Sequence, residues 1–117
     1  MDLARAREEY LGYLAVERGS SDNTVAAYGR DLERYVAWLA ERGVSDPEDV
    51  TRPLVEGHVA ALVEAGLAPA SVERAVSAVK GFHRFMVADE ICSAFPTSDL
   101  PLPAKPGRLP EVLSVEQ

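Results

Sequence analysis

Five apolar residues repeat at alternating steps of three and four, and this spacing constrains the fold more than any other feature. They are Val25, Tyr28, Leu32, Tyr35 and Leu39. Because an α-helix has about 3.6 residues per turn, such steps place all five side chains along one stripe. Ser21 or Asp22 can cap the first turn, and Gly43 lies where a C-terminal glycine is expected. The pattern predicts an amphipathic helix over residues 22–41.

The same period recurs in three further segments, which predict helices over residues 3–17, 52–65 and 70–88. Gly19 and Gly66 follow the first and second of these segments, and Pro53 falls in a first turn, where its missing N–H costs little. No stretch alternates with period two over a strand's length. We therefore predict an all-α fold, a compact four-helix bundle with short connections.

From Ser93 onward the composition changes. Five prolines occur within 15 residues: Pro96, Pro101, Pro103, Pro106 and Pro110. Proline is excluded from helix interiors and favours extended neighbours, so this stretch is predicted to be a stiff linker. We divide the chain into a helical domain, 1–92, and a linker with the first residues of an absent domain, 93–117. Leu113-Ser114 resembles a helix start, so we expect the chain to stop at a domain boundary.

The composition favours no catalytic or metal site. One cysteine, Cys92, cannot form an internal disulfide, and the two histidines give no metal-ligand spacing. No nucleophile motif, cofactor, small-molecule ligand or membrane segment is indicated. The lone thiol favours the cytoplasm. His58 and His83 are expected to be surface residues or hydrogen-bonded core residues. Core packing is expected of the four tyrosines, Tyr10, Tyr13, Tyr28 and Tyr35.

The net charge of −7, from 12 basic and 19 acidic residues, argues at first against a nucleic-acid binder. The distribution weakens this objection. Residues 41–68 hold six acids and two bases, a balance of −4, whereas residues 70–110 hold five bases and four acids, a balance of +1. Residues 70–110 could therefore still contact the phosphates of a nucleic acid.

The fourth predicted helix has a polar face opposite its valines. Its members Arg74, Ser77, Gly81 and Arg84 follow steps of three, four and three, with Lys80 beside them. Bases, a small hydroxyl and a glycine on one stripe suit close approach to DNA, although a solvated face is the alternative. The second helix offers Asn23, Thr24, Arg30 and Arg34. Its N-terminal N–H groups suit a phosphate, although a plain capping region is the alternative.

Three segments, in order, resemble the motifs of the tyrosine recombinase N-terminal domain. The opening S-x-N-T-x-x-A-Y-x-x-D-L is matched by Ser21, Asn23-Thr24, Ala27-Tyr28 and Asp31-Leu32. The family's fourth helix is matched by Gly66-Leu67, Ser71, Arg74, Ser77-Ala78, Gly81-Phe82 and Arg84-Phe85. Its linker is matched by Lys105, Arg108-Leu109-Pro110 and Leu113-Ser114. Within the family, the chromosome-dimer-resolving recombinases are more similar than the phage integrases.

The resemblance implies a SAM-like core-binding domain that clasps one face of a recombination half-site in duplex DNA. The implied partners are this half-site and a related or identical recombinase in a tetrameric synapse. The family's catalytic residues lie in a second domain, so none is assigned here. By position, the implied DNA contacts are Asn23, Thr24, Arg30, Ser71, Arg74, Ser77, Lys80, Arg84, Lys105 and Arg108.

Two departures from the family stand out. Phe95-Pro96 replaces the usual Asn-Pro, and the net charge is low, which implies weak DNA binding by this domain alone. Three alternatives stay open: a recombinase–recombinase interaction module that uses the acidic 41–68 region, a stand-alone accessory factor, and the equivalent domain of a phage-type integrase.

Overall fold

Four α-helices follow one another in the computed structural model, which describes residues 1–98. They are α1, Leu3–Val16; α2, Asp22–Glu41; α3, Arg52–Glu64; and α4, Pro69–Ala88. Within residues 1–98 there is no strand. The prediction of an all-α, four-helix bundle is confirmed, whereas most of the predicted proline-rich linker, residues 99–117, lies outside the described part of the chain.

The helix ends follow local side-chain chemistry. Ser21 Oγ accepts a hydrogen bond from the Thr24 N–H and so caps α2, and Thr51 caps α3 in the same way. Pro69 lies inside the first turn of α4, not before it. A short 3-10 turn, Pro47–Asp49, was not predicted. Three residues are too few to show a helical period, and only the Asp46 cap could have signalled it.

The core is built around α4, which contacts each of the other helices. Its inward face carries Val72, Ala75, Val76, Ala78, Val79, Phe82, His83 and Met86. Among the four tyrosines, Tyr10 and Tyr35 are buried, and Tyr13 and Tyr28 pack against the core from partly buried positions. The predicted core role of these rings is confirmed, and Cys92 is also buried.

A close helix crossing fixes α1 against α2. A Cβ atom at Gly29 would lie 3.3 Å from Leu11 Cδ1, so glycine allows the two helices to approach. At the same level, Arg7 donates hydrogen bonds from Nε and Nη2 to the Gly29 carbonyl oxygen, at 3.1 and 2.9 Å. A guanidinium that binds a mid-helix carbonyl adds a charge-assisted polar contact to the apolar packing. The crossing therefore holds α1 against α2.

The segment after α4 is fastened to the 3-10 turn. The backbone N–H and the hydroxyl of Ser93 donate hydrogen bonds to the Glu48 carboxylate, at 2.8 and 3.0 Å. Thr97 is buried. The predicted boundary at residue 92 therefore falls in a segment whose first residues contact the bundle. No helix of residues 1–98 has the length and hydrophobicity that a bilayer crossing requires.

Trp38 is partly buried at the edge of the core, where the Arg42 guanidinium lies 3.6 Å from the ring centroid. Complete burial of a tryptophan would make truncation cost about 3–5 kcal/mol. Because one face of Trp38 meets an exposed arginine, we expect Trp38→Ala to lower the free energy of unfolding by about 2 kcal/mol. Urea denaturation measures this change, and an unchanged midpoint would contradict it.

Candidate nucleic-acid interface

An open groove of about 350 Å³ lies where α1, α2 and α4 meet. It is lined by Tyr10, Leu14, Arg18, Ser20, Thr24, Tyr28, Ser77, Lys80, Gly81 and Arg84. Four of these residues, Thr24, Ser77, Lys80 and Arg84, belong to the set predicted from sequence. The structure therefore brings together predicted residues from two helices that are distant in the chain.

The groove is cationic although the chain is acidic. Arg18, Lys80 and Arg84 line it, and none of its described lining residues is an aspartate or glutamate. Hydroxyl groups from Ser20, Thr24 and Ser77 complete the polar wall. Cations and hydroxyls are the groups that proteins use to hold phosphate oxygens. The arrangement can therefore bind an anion such as a backbone phosphate.

Arg18 and Ser20 reach the groove because of the turn between α1 and α2. Gly19 has φ of +62°, a left-handed conformation that glycine adopts without strain. In this turn the Arg18 N–H donates to the Tyr13 carbonyl, and the Ser20 N–H donates to the Leu14 carbonyl. The turn places both side chains beside the start of α2. From the sequence, Gly19 was interpreted only as a helix terminator, and this third cation was missed.

The packing of Tyr10 in the groove requires a glycine at position 81. A Cβ atom there would overlap the Tyr10 hydroxyl. The Tyr10 ring is 4% exposed and packs between Phe82 and Phe85, at centroid distances of 5.9 and 5.3 Å. Burial raises the pKa of Tyr10 to about 12, so its hydroxyl stays neutral. Tyr10 and Tyr28 also line the groove, a second role that their apolar spacing did not reveal.

Arg74 has a different environment from the other predicted bases. Its Nε and Nη2 donate hydrogen bonds to the two carboxylate oxygens of Asp31, at 2.8 and 3.0 Å. The Asp31 side chain is 3% exposed, whereas that of Arg74 is 42% exposed. The hydrogen bond to Asp31 raises the pKa of Arg74. Arg74 therefore ties α4 to α2, a structural role that its spacing in the sequence did not indicate.

The remaining predicted residues are dispersed. Asn23 and Arg30 are exposed on α2, outside the lining of the groove, and Ser71 is partly buried in the first turn of α4. Lys105 and Arg108 lie outside the described residues. No described group of three or more His, Cys, Asp or Glu side chains could hold a metal ion.

The two histidines both lie in the core. His83 Nε2 shares a hydrogen bond of 2.7 Å with the Tyr35 hydroxyl. His58 is 2% exposed, and neither ring nitrogen has a hydrogen-bond partner. Burial lowers the pKa of each histidine to about 4. The expectation of a surface or hydrogen-bonded residue is therefore wrong for His58, which is buried without a polar partner.

A second groove, of about 460 Å³, flanks α1 on its other side. It is acidic, and its lining residues are Glu8, Glu9, Gly12, Tyr13, Val16, Glu17, Phe85 and Asp89. Val16 is 82% exposed there. This acidic surface was not anticipated, because the charge distribution along the chain pointed to residues 41–68.

Comparisons with known proteins agree with this architecture. Residues 8–90 match the family model of the phage integrase N-terminal SAM-like domain. The chain is 34% identical over 113 residues to tyrosine recombinase XerD of Bifidobacterium longum, covering 97% of this chain and 37% of that protein. It is 33% identical over 110 residues to XerD of Staphylococcus aureus, again covering 37% of the relative. A search of solved structures gives no match.

Proposed function

Because the chain belongs to the phage integrase N-terminal SAM-like domain family, we propose that it holds duplex DNA for a XerD-like site-specific tyrosine recombinase. The chain spans 37% of the length of its curated relatives, so recombination would be the activity of a larger protein. This chain supplies DNA binding, and strand cleavage and rejoining belong to a catalytic domain. In the cytoplasm, the complete recombinase would act on chromosome dimers.

The observation that carries the proposal is the cationic groove. Arg18, Lys80 and Arg84 face one concave surface without a lining acid, and they come from the α1–α2 turn and from α4. A phosphate seated there would meet charge from several directions together with hydroxyl donors. Such contacts position a protein on the duplex without reading its sequence.

The other predicted contacts extend this surface along the duplex. Asn23 and Arg30 project from α2 and Ser71 from the first turn of α4, and we propose that they meet the major groove or its flanking phosphates. Lys105 and Arg108 are proposed to cross the DNA backbone. Together these residues would clasp one face of a half-site, while the catalytic domain would hold the other.

The net charge of −7 limits what this domain does alone. The acidic groove beside α1 opposes the approach of DNA on that side, so attraction comes from the cationic groove and the other proposed contacts. We therefore propose that the domain binds DNA weakly by itself. Strong binding would require the catalytic domain and a second, related or identical, recombinase in a tetrameric synapse.

The test removes two groove cations together. We expect Lys80→Gln/Arg84→Gln to weaken DNA binding by at least about tenfold, because two phosphate contacts are lost. The slope of log K against log salt should fall by about 1.8, since each contact contributes about 0.9. The measurement is fluorescence anisotropy of a labelled duplex, titrated with the 117-residue chain at several low salt concentrations.

A matched control removes the same charge elsewhere. Arg5 and Arg52 are exposed and do not line the groove, so Arg5→Gln/Arg52→Gln should leave the slope nearly unchanged. Equal losses in both double variants would mean that only net charge matters, and the groove would then not be the site.

A recombinase–recombinase interaction module is the second candidate function. The acidic groove favours it, because exposed Val16 and the ring of Tyr13 lie among acids and could receive a basic, partly apolar segment. Under this alternative, Glu9→Lys/Glu17→Lys would abolish assembly of the full-length recombinase without weakening DNA binding by the isolated chain in the anisotropy titration. Loss of DNA binding in Lys80→Gln/Arg84→Gln favours the first function.

A further inference from the structure

The geometry of the Asp31–Arg74 pair leaves part of the guanidinium available. Asp31 uses Nε and Nη2 of Arg74, so the two protons on Nη1 are not consumed by the pair. The carboxylate is 3% exposed, but the arginine side chain is 42% exposed. One edge of the guanidinium is therefore anchored inside the protein, and the other faces outward.

The anchored arginine lies at the margin of the cationic groove. On α2, Asp31 is three residues after Tyr28, and on α4, Arg74 is three residues before Ser77; residues three apart on a helix are neighbours on its surface. Tyr28 and Ser77 both line the groove. A duplex whose phosphate is held by Lys80 and Arg84 would therefore pass close to Arg74.

The pair changes what kind of contact Arg74 can make. The buried carboxylate neutralises the guanidinium at short range, so the pair adds little to the general attraction for phosphate. At the same time, two hydrogen bonds fix the plane of the guanidinium and reduce the side-chain entropy that binding would cost. A rigid donor of little net charge suits discrimination among base sequences better than general attraction.

We propose that Asp31 is a positioning residue that presents Arg74 to DNA in one orientation, so that Arg74 contributes sequence selectivity in place of general affinity. The inference rests on the proposed DNA-binding function. Asp31, a buried acid on α2, would thus take part in DNA recognition by orienting the Arg74 side chain.

The test separates selectivity from affinity. The 117-residue chain is used to select from a library of duplexes randomised over one helical turn, and the affinities for the most enriched duplex and for the unselected library are compared. In Asp31→Asn we expect this ratio to fall by at least about fivefold, the discrimination typical of one specific contact. Affinity for the unselected library should rise and its salt slope should increase by about one, because a masked cation is released.

A second variant keeps the charge and changes the geometry. Arg74→Lys preserves a cation beside Asp31 but removes the planar fork. We expect its selectivity ratio to fall as in Asp31→Asn, with the salt slope of the parent chain. The control is Glu33→Gln, which removes one exposed charge from the same helix and should leave the selectivity ratio unchanged.

Two results would overturn the inference. If Arg74→Lys keeps the parent selectivity ratio, then the orientation of Arg74 is not used in recognition. If Glu33→Gln lowers the ratio as much as Asp31→Asn does, then the effect is one of charge alone. Either result is compatible with groove-dependent binding, whereas the absence of any DNA binding by the parent chain would reject the proposed function itself.

Discussion

Acidification from pH 8 to pH 5 is expected to lower the free energy of unfolding by about 4 kcal/mol, about 2 kcal/mol from each of His58 and His83. Burial depresses the pKa of both histidines to about 4 in the folded state, whereas an unfolded histidine has a pKa of about 6.5. Between these values the unfolded chain binds more protons than the folded chain. The stability is therefore fully present above a pH of about 6.5 and is lost as the pH falls towards about 4.

The geometry explains why protonation is so unfavourable. His58 is enclosed by the rings of Tyr35 and Trp38, at centroid distances of 4.9 and 5.4 Å, and neither of its nitrogens has a polar partner. The charged groups that act on it are Arg34 and Arg42, which lower its pKa further, and Asp31, which opposes them. His83 has one partner, the Tyr35 hydroxyl. A proton on either ring would be a buried charge without a counterion.

Urea denaturation between pH 5 and pH 8 measures this loss, and the variant His58→Leu supplies the control. Leucine has a similar volume and no titratable group, so the pH-dependent loss should fall by about half, to about 2 kcal/mol. Ordinary carboxylates titrate below this window and contribute little to it. A stability that does not change between pH 8 and pH 5 would contradict the prediction.

The second large effect is expected from Arg74→Ala, which should lower the free energy of unfolding by about 2–4 kcal/mol. Removal of the guanidinium leaves the Asp31 carboxylate, 3% exposed, without its ion-pair partner. Breaking a fully buried pair in this way costs about 3–5 kcal/mol. The 42% exposure of Arg74 reduces this value, because water screens the pair.

The loss should be asymmetric between the two partners. Asp31→Asn leaves a half-exposed arginine that water can solvate, so its cost should stay near about 1 kcal/mol. The double variant Asp31→Leu/Arg74→Leu removes both charges and should recover most of the loss of Arg74→Ala. Thermal and urea denaturation of the three variants measure these differences, and equal losses in Arg74→Ala and Asp31→Asn would refute the asymmetry.

Helical periodicity predicted most of the fold, because four segments long enough to show a stripe each became a helix within one or two residues of its expected ends. Periodicity could not reveal the Pro47–Asp49 turn, which is shorter than one helical period. Nor could it place His58, whose burial is decided by Tyr35 and Trp38 of another helix. Contacts between helices depend on tertiary packing, and the hydrophobic periodicity of one sequence does not encode that packing.

The candidate site was predictable to a similar degree. Spacing put Ser77 and Arg84 on one face, and Thr24 was expected at the start of α2; the structure places all three in the groove. Spacing could not show that Arg74, on that same face, would be paired with Asp31 from α2. It also could not show that the Gly19 turn would bring Arg18 into the groove. Both depend on how α1, α2 and α4 cross.

The two grooves that flank α1 carry opposite charge, and this has a kinetic consequence. Three cations line one groove, whereas Glu8, Glu9, Glu17 and Asp89 line the other, so opposite charges are separated across α1. The field of a polyanion exerts a torque on these separated charges, which turns the acidic side away from the polyanion before contact. The fraction of collisions that arrive in a productive orientation should therefore increase as ionic strength decreases.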